Sequence, residues 1–353
     1  MTAFVDVPEQ AEAKRLLEAS LADGQAHAFL FHGPRGVGKR SAARAFAGTL
    51  LADPRRVDAG THPDLRVIEA LGEMIRIDEI RALHHDLHMR PFEADRRVYL
   101  LLDAHLLNDE AAAALLKDLE EPPEYATLVL VADELGPLPE TIRSRCQLVP
   151  FRRLSRAAVE RWVADQAPEL SGDETALVAR VAGGRLDRAA RLLDPEARER
   201  RTELLRAARA AYLDPEFDVA AAAAMVLASA RARGAAAREL ELGLVDGLDL
   251  PAREAEQRVK RVEFGAEKEE LLASLEDLAA WYRDLVVVAA GADAPVVHAD
   301  RLAELREDAS GREAGAEAAA AAVRQAWREA EEFNLSASLL LEALFVRIRR
   351  AFA

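Results

Sequence analysis

The sequence predicts a phosphate-loop α/β domain followed by helices alone, and three observations carry that prediction. Short apolar runs alternate with helical patterns, but only as far as about residue 152. A turn rich in glycine follows the first run and opens a helix. Beyond Phe151 the strand signal nearly vanishes, while Ala, Leu, Glu and Arg, all strong helix formers, dominate. The expected division is an α/β domain at 1–152, a small helical lid at 153–195 and an all-α C-terminal domain at 196–353.

Taken in order, Pro8 and the helical spacing of Ala11, Leu16, Leu17 and Leu21 predict a helix over residues 1–25, closed by Gly24. Ala28 to Phe31 reads as a strand. Gly33, Gly36 and Gly38 then form a turn, and Lys39 leads into a helical stretch from Arg40 to Leu51. Residues 53–63 read as polar turns. Leu65 to Ile68 is a short strand, and Ile77 to Met89 an amphipathic helix with Asp78 and Glu79 in its first turn. Val98 to Asp103 is a buried strand with a carboxylate at its C-terminal end, where open parallel sheets bind their ligands. Asn108 to Glu121 is a helix stopped by Pro122-Pro123. Thr127 to Val131 and Gln147 to Val149 complete the strands.

Ser155 to Gln166, Asp173 to Ala182 and Leu186 to Leu193 read as three short helices. Long helices follow, with breaks expected near Asp214-Pro215, Gly265, Gly291 and residues 308–311. Val286 to Ala290 reads as a helix end. The alanine runs at 220–224 and 318–322, flanked by Leu, Val and Trp, suit close helix packing.

With 62 acidic against 47 basic side chains the net charge is −15, and no long Lys/Arg block appears, so tight nucleic-acid binding through bulk charge is not expected. The single cysteine, Cys146, allows neither an internal disulfide nor a cysteine zinc site, which suits a reducing compartment. The first 25 residues have no apolar core for a signal peptide, and no apolar run approaches the ~20 residues that span a bilayer. The expectation is a cytoplasmic protein without membrane contact.

The pattern G-x-x-x-x-G-K-[ST] is met at Gly33, Gly38 and Lys39 and then fails, because residue 40 is Arg and not a Mg²⁺-binding hydroxyl. A guanidinium has no acceptor lone pair, and Ser41 is turned by ~100° on the helix. Asp103 stands as a Walker-B-type aspartate, yet Ala104 follows it where an active hydrolase usually has a water-orienting Glu. Ser144-Arg145-Cys146 lies in a turn before a strand. Residue chemistry alone leaves Arg145 open between a surface arginine and one donated to a neighbouring subunit's transition state.

The His27–Lys39 run, His62-Pro63-Asp64, Leu102-Asp103-Ala104, the Leu-Leu-Lys-Asp-Leu-Glu-Glu-Pro-Pro string at 115–123 and Thr-Ile-Arg-Ser-Arg-Cys at 141–146 resemble the AAA+ module of bacterial DNA polymerase III clamp loaders. The resemblance is sharp over residues 8–195. Beyond them, Trp281-Tyr282-Arg283-Asp284-Leu285 and Asn334 followed by Leu339-Leu340-Leu341-Glu342 resemble the family's helical collar.

The resemblance implies a heteropentamer that opens a sliding clamp and places it on primed DNA, with motor (gamma/tau) and delta subunits, the clamp and primer-template DNA as partners. Within the family, a motor that hydrolyses ATP competes with a delta-prime subunit that does not. Arg40, Ala104, the sensor position on Ala132 or Asp133, and the lid's sensor arginine falling on Asp187 (with Arg188 beside it) favour delta prime. A cysteine-free stretch replaces the family's zinc module, and no long tau-like tail follows the collar. The resemblance thus implies a polymerase III holoenzyme subunit without ATP turnover of its own, with Arg145 as an arginine finger in trans. Gly33, Gly36, Gly38, Lys39 and Asp103 form a vestigial or weak ATP/ADP site, with no required cofactor, no metal and no zinc. The alternatives are an active motor ATPase and an unrelated phosphate-loop enzyme such as a nucleotide kinase.

Overall fold

The structure, a computed structural model, describes residues 4, 7–24, 26–70, 74–133, 135–136, 138–245, 251–293, 295–332 and 336–353. Asn334 lies outside them. The chain divides into two compact units, 1–162 with 184–188 and 163–183 with 189–353.

In the first unit the order is α1 (Ala11–Asp23), β1 (Ala28–His32), α2 (Lys39–Leu50), α3 (Pro54–Asp58), β2 (Leu65–Ile68), α4 (Ile77–Leu87), β3 (Arg97–Leu101), α5 (Asp109–Glu120), β4 (Ala126–Ala132), α6 (Glu140–Arg143) and β5 (Gln147–Pro150). All strands run parallel in the order β2-β3-β4-β1-β5. This is the expected α/β phosphate-loop fold, and it brings the C-terminal ends of β1, β3 and β4 together at one sheet edge.

Strand alternation divides the core between the two sheet faces. Phe29, Phe31, Val129 and Val131 pack with Phe46 and Ala43 of α2 on one face. Leu30, Tyr99, Leu101 and Leu130 pack with Ile80 and Leu83 of α4 and Leu115 of α5 on the other. Helix ends follow local chemistry. Asn108 caps α5 by accepting the Ala111 N–H at 2.9 Å. The His62-Pro63-Asp64 segment also finds its purpose. Asp64 is buried and accepts N–H groups from Phe92 (2.6 Å), Glu93 (3.0 Å) and Ala94 (2.9 Å), fixing the turn before β3. Burial by itself would raise its pKa. The three donors and nearby Arg97 outweigh it and hold the carboxyl below its ordinary value.

Three expectations need correction. The N-terminal helix starts at Ala11, not near Pro8, because Glu9 and Gln10 adopt positive φ (54° and 50°) that no helix tolerates. Part of the polar stretch at 53–63 is helical: Asp53 accepts from Arg56 N and Pro54 occupies the first turn of α3. The third correction falls in the second unit, at Gly265.

That unit holds α8 (Gly172–Ala182), α10 (Pro195–Leu213), α11 (Val219–Val245), α12 (Ala252–Ala289), α13 (Leu302–Ala309), α14 (Glu313–Glu332) and α15 (Ala337–Phe352). α7 (Arg156–Gln166) and α9 (Leu186–Leu193) are each divided between the units. α12 runs unbroken through Gly265 for 38 residues. One glycine costs a helix only about 0.5–1 kcal/mol, which the buried Leu271, Leu275 and Leu278 face outweighs.

The Trp281–Leu285 string lies at the centre of this unit. Trp281, Tyr282 and Leu285 are fully buried, and Tyr282 Oη donates to Ala208 O at 2.9 Å. Asp284, also fully buried, accepts the Val297 and His298 N–H groups at 2.9 and 2.7 Å. α11 is the one described helix long and apolar enough, by length and composition, to cross a membrane. Much of that apolarity is alanine, and its Ala222, Ala223 and Val226 pack into this helical core.

Candidate nucleotide site

β1 delivers the chain into the glycine turn at the sheet's C-terminal edge. Gly33, Gly36 and Gly38 all have positive φ, at 141°, 71° and 94°. At two of them close contact also demands glycine. A Cβ on Gly33 would lie 2.1 Å from the Phe151 carbonyl oxygen, and one on Gly36 would lie 1.8 Å from Asp187 Oδ1. Leu186 N donates to Gly36 O at 2.7 Å, so the start of α9 is tied directly to the loop.

Lys39 is buried, and its Nζ is already engaged. It donates to the carbonyls of Gly33 at 2.7 Å and Pro34 at 2.6 Å, and pairs with Asp133 Oδ1 at 2.8 Å. Burial pushes the Lys39 pKa down, and Asp133, Asp103 and Asp187 push it back part of the way. Asp133 lies one residue beyond β4, the expected sensor position. Its carboxylate occupies the lysine as an anionic ligand would.

Asp103, two residues beyond β3, is joined to the Arg40 guanidinium. Glu69 lies 3.9 Å from the same side chain. Asp187 is held by Arg185 at 2.7 Å and approached by Arg35 at 3.5 Å. Burial favours a neutral Asp187, but Arg185 and Arg35 prevail and its carboxyl stays below the ordinary range. Three carboxylates therefore surround the loop, each matched to a protein cation.

A divalent metal does not fit this arrangement. Mg²⁺ requires oxygen ligands, and here a guanidinium sits on the Asp103 carboxylate. Ala104 is fully buried and supplies no base. The structure thus brings Gly33, Gly36, Gly38, Lys39 and Asp103 to one edge and pairs the Lys39 and Asp103 side chains internally.

The sequence reading missed Gln10. Its Nε2 donates to Arg152 O at 2.7 Å and Val37 O at 3.3 Å, and its Oε1 accepts Arg152 N at 3.0 Å. The buried side chain joins the segment before α1 to the loop and to the chain leaving β5. Its sequence signal is faint: an apolar residue and a proline, Val7-Pro8, just ahead of a helix.

Arg145 lies elsewhere. β5 runs parallel to β1 with Phe29 opposite Gln147 and His32 opposite Pro150. Residues before β5 are therefore at the opposite sheet edge from the loop that follows β1, about 13 Å of strand away. Arg145 cannot serve this chain's own loop. Its Nη1 donates to Thr141 O at 3.0 Å and its Nη2 to Glu120 Oε1 at 2.5 Å, with about a third of the side chain exposed (34%). Burial pushes the neighbouring Cys146 thiol up to about 12, so no thiolate chemistry is available there.

A sequence profile described as "DNA polymerase III, delta subunit" matches residues 9–155, which span the loop, Asp103 and Arg145. Over this region the chain is similar to subunits of DNA polymerase III clamp loaders. Among the relatives, the tau subunit of Bacillus subtilis is 35% identical over 210 residues, 54% of this chain and 37% of that protein. The delta' subunit of Pseudomonas aeruginosa is 33% identical over 195 residues, 51% and 60% of the two chains. The delta' subunit of B. subtilis is 33% identical over 156 residues, 41% and 47%. The chain thus spans between about a third and three-fifths of these clamp-loader relatives, which include both subunit types. Of the solved structures, a DNA polymerase III gamma-subunit-related protein from Thermotoga maritima is 17% identical, with a TM-score of 0.41 over 97% of this chain and 100% of that one.

Proposed function

We propose that this chain is a delta-prime-type subunit of a DNA polymerase III clamp loader, without ATP turnover of its own, whose Arg145 acts on nucleotide held by a neighbouring motor subunit. The observation that carries the reading is the double ion pairing at the loop, Lys39 with Asp133 and Arg40 with Asp103. Each pair removes a group that phosphoryl transfer needs, the lysine for phosphate and the aspartate for metal.

The proposed partners are gamma/tau and delta subunits, the sliding clamp and primer-template DNA reached through the assembled complex. The proposed setting is the cytoplasm. The loop would hold ATP or ADP weakly and needs no cofactor. The proposed working parts remain the α/β domain at 1–152, a lid at 153–195 and a collar at 196–353.

The second reading, an active gamma/tau motor, is favoured by the 35% identity to a tau subunit. Turnover separates the two. The isolated chain should hydrolyse no ATP, and Mg²⁺-dependent turnover abolished by Lys39→Ala would establish the motor instead. In a reconstituted loader, Arg145→Ala should remove most of the DNA-stimulated ATPase and clamp loading that depend on the adjoining site. An unchanged rate would refute the trans arginine.

A further inference from the structure

Away from the loop, α4 and α5 pack side by side and bring three metal-ligating side chains together. His84 and His88 are four residues apart, so both imidazoles project from one face of α4, one turn apart. Asp118 of α5 faces them. One donor atom from each of the three lies within 4.8 Å of the other two. His84 Nδ1 is 2.6 Å from Asp118 Oδ1, and the His84 and His88 rings stand edge-on with centroids 4.9 Å apart.

The decisive feature is Asp118 itself. Only 2% of it is exposed, yet its Oδ2 has no hydrogen-bond partner among the described residues. A buried carboxylate oxygen without a donor is costly and calls for an explanation. The neighbouring imidazole accounts for one oxygen and leaves the other unmatched.

We propose that His84, His88 and Asp118 form a Zn²⁺ site. Two imidazoles and one carboxylate suit a borderline cation, whereas Mg²⁺ and Ca²⁺ prefer oxygen alone. Three protein ligands leave the fourth tetrahedral position open. Bonds of ~2.0–2.1 Å set tetrahedral ligands about 3.3 Å apart, so the His84–Asp118 pair at 2.6 Å must open slightly and any donors standing further apart, up to 4.8 Å, must close up. Both histidines are exposed, while Asp118 is fixed by burial. The expectation of no zinc rested on the lack of cysteines, and this donor set uses none.

A second cluster, Asp103, His105 and Asp133, has similar donors at similar spacing. There Arg40 and Lys39 already neutralise the carboxylates, and a metal would meet two resident cations. No such cation is paired with Asp118 among the described residues.

The test is competition of the untagged, metal-free full chain with a chromophoric chelator for Zn²⁺. One Zn²⁺ should bind per chain at micromolar free metal. Substituting Co²⁺ should give the visible absorption of a four-coordinate site. His88→Ala, at an exposed position, should keep the wild-type melting temperature in chelator. It should weaken Zn²⁺ binding by more than the roughly 10–100-fold that losing an outer-shell group costs. Asp118→Asn should abolish the Co²⁺ spectrum, whereas His85→Ala, on another face of α4, should leave both readouts unchanged. Wild-type chain that binds no Zn²⁺ under these conditions overturns the site, as does undiminished binding by His88→Ala or an equal loss in His85→Ala.

Discussion

At the scale of single residues, the loop is governed by which anion Lys39 faces. Its ammonium is buried, and burial favours the neutral amine. Asp133 opposes that and also pairs with the ammonium that a phosphate would need. Asp133→Asn should raise affinity for nucleotide at neutral pH by about tenfold or more, since a carboxylate some 4 Å from a phosphate costs several kcal/mol at intermediate dielectric. The pH dependence carries a sign. Lysine binds the anion only when protonated, so affinity falls as pH rises through the Lys39 pKa. Without Asp133 holding that pKa up, the fall should begin at lower pH than in the wild type. Titration with a fluorescent nucleotide analogue at two pH values reads both effects, and equal affinity in the two proteins would show that Asp133 does not compete. The glycines, Lys39 and the misfit of Arg40 were readable in the sequence because each departs from a spaced pattern. The pairing of Arg40 with Asp103 was not, since those residues are 63 apart and meet only through strand order.

At the scale of elements, the five strands and most helices were readable because apolar runs and helical spacing are strong local signals. The failures were a helix start set by positive φ at Glu9 and Gln10, a short capped helix at Pro54–Asp58, and a glycine inside α12. Gly265 was expected to break a helix and does not, and Gly234 likewise lies inside an unbroken helix, α11. Packing distinguishes Gly234: a Cβ there would lie 2.4 Å from Glu267 Cγ and 3.0 Å from the Glu263 carbonyl oxygen on α12. α11 and α12 thus approach closely at a residue without a side chain. Gly234→Ala should destabilise the protein by about 1–2 kcal/mol, because overpacking of about 1–3 kcal/mol outweighs the gain in helix propensity of just under about 1 kcal/mol. Urea melts of the two proteins measure the difference. A stabilised variant would mean that the helices separate easily at this point.

At the scale of the whole molecule, the parallel sheet puts the phosphate loop at one edge and Arg145 at the other. One chain then offers two different faces to neighbours, which is the geometry a ring with trans-acting arginines requires. Glu120 adds a restraint. It lies at the end of α5 and holds the Arg145 guanidinium, so in the proposed trans role the arginine would have to leave this carboxylate before reaching a neighbour's nucleotide. The pair is partly exposed, and solvent limits its worth to about 1 kcal/mol or less. In a reconstituted loader, Glu120→Gln should therefore raise DNA-stimulated ATPase by up to about fivefold, the rate equivalent of that energy. The same substitution in an Arg145→Ala background should change nothing, because the restraint has no object left. A rise that persists without Arg145 would assign Glu120 a role of its own. A fall in the single variant would mean that Glu120 guides the arginine to its target instead of holding it back.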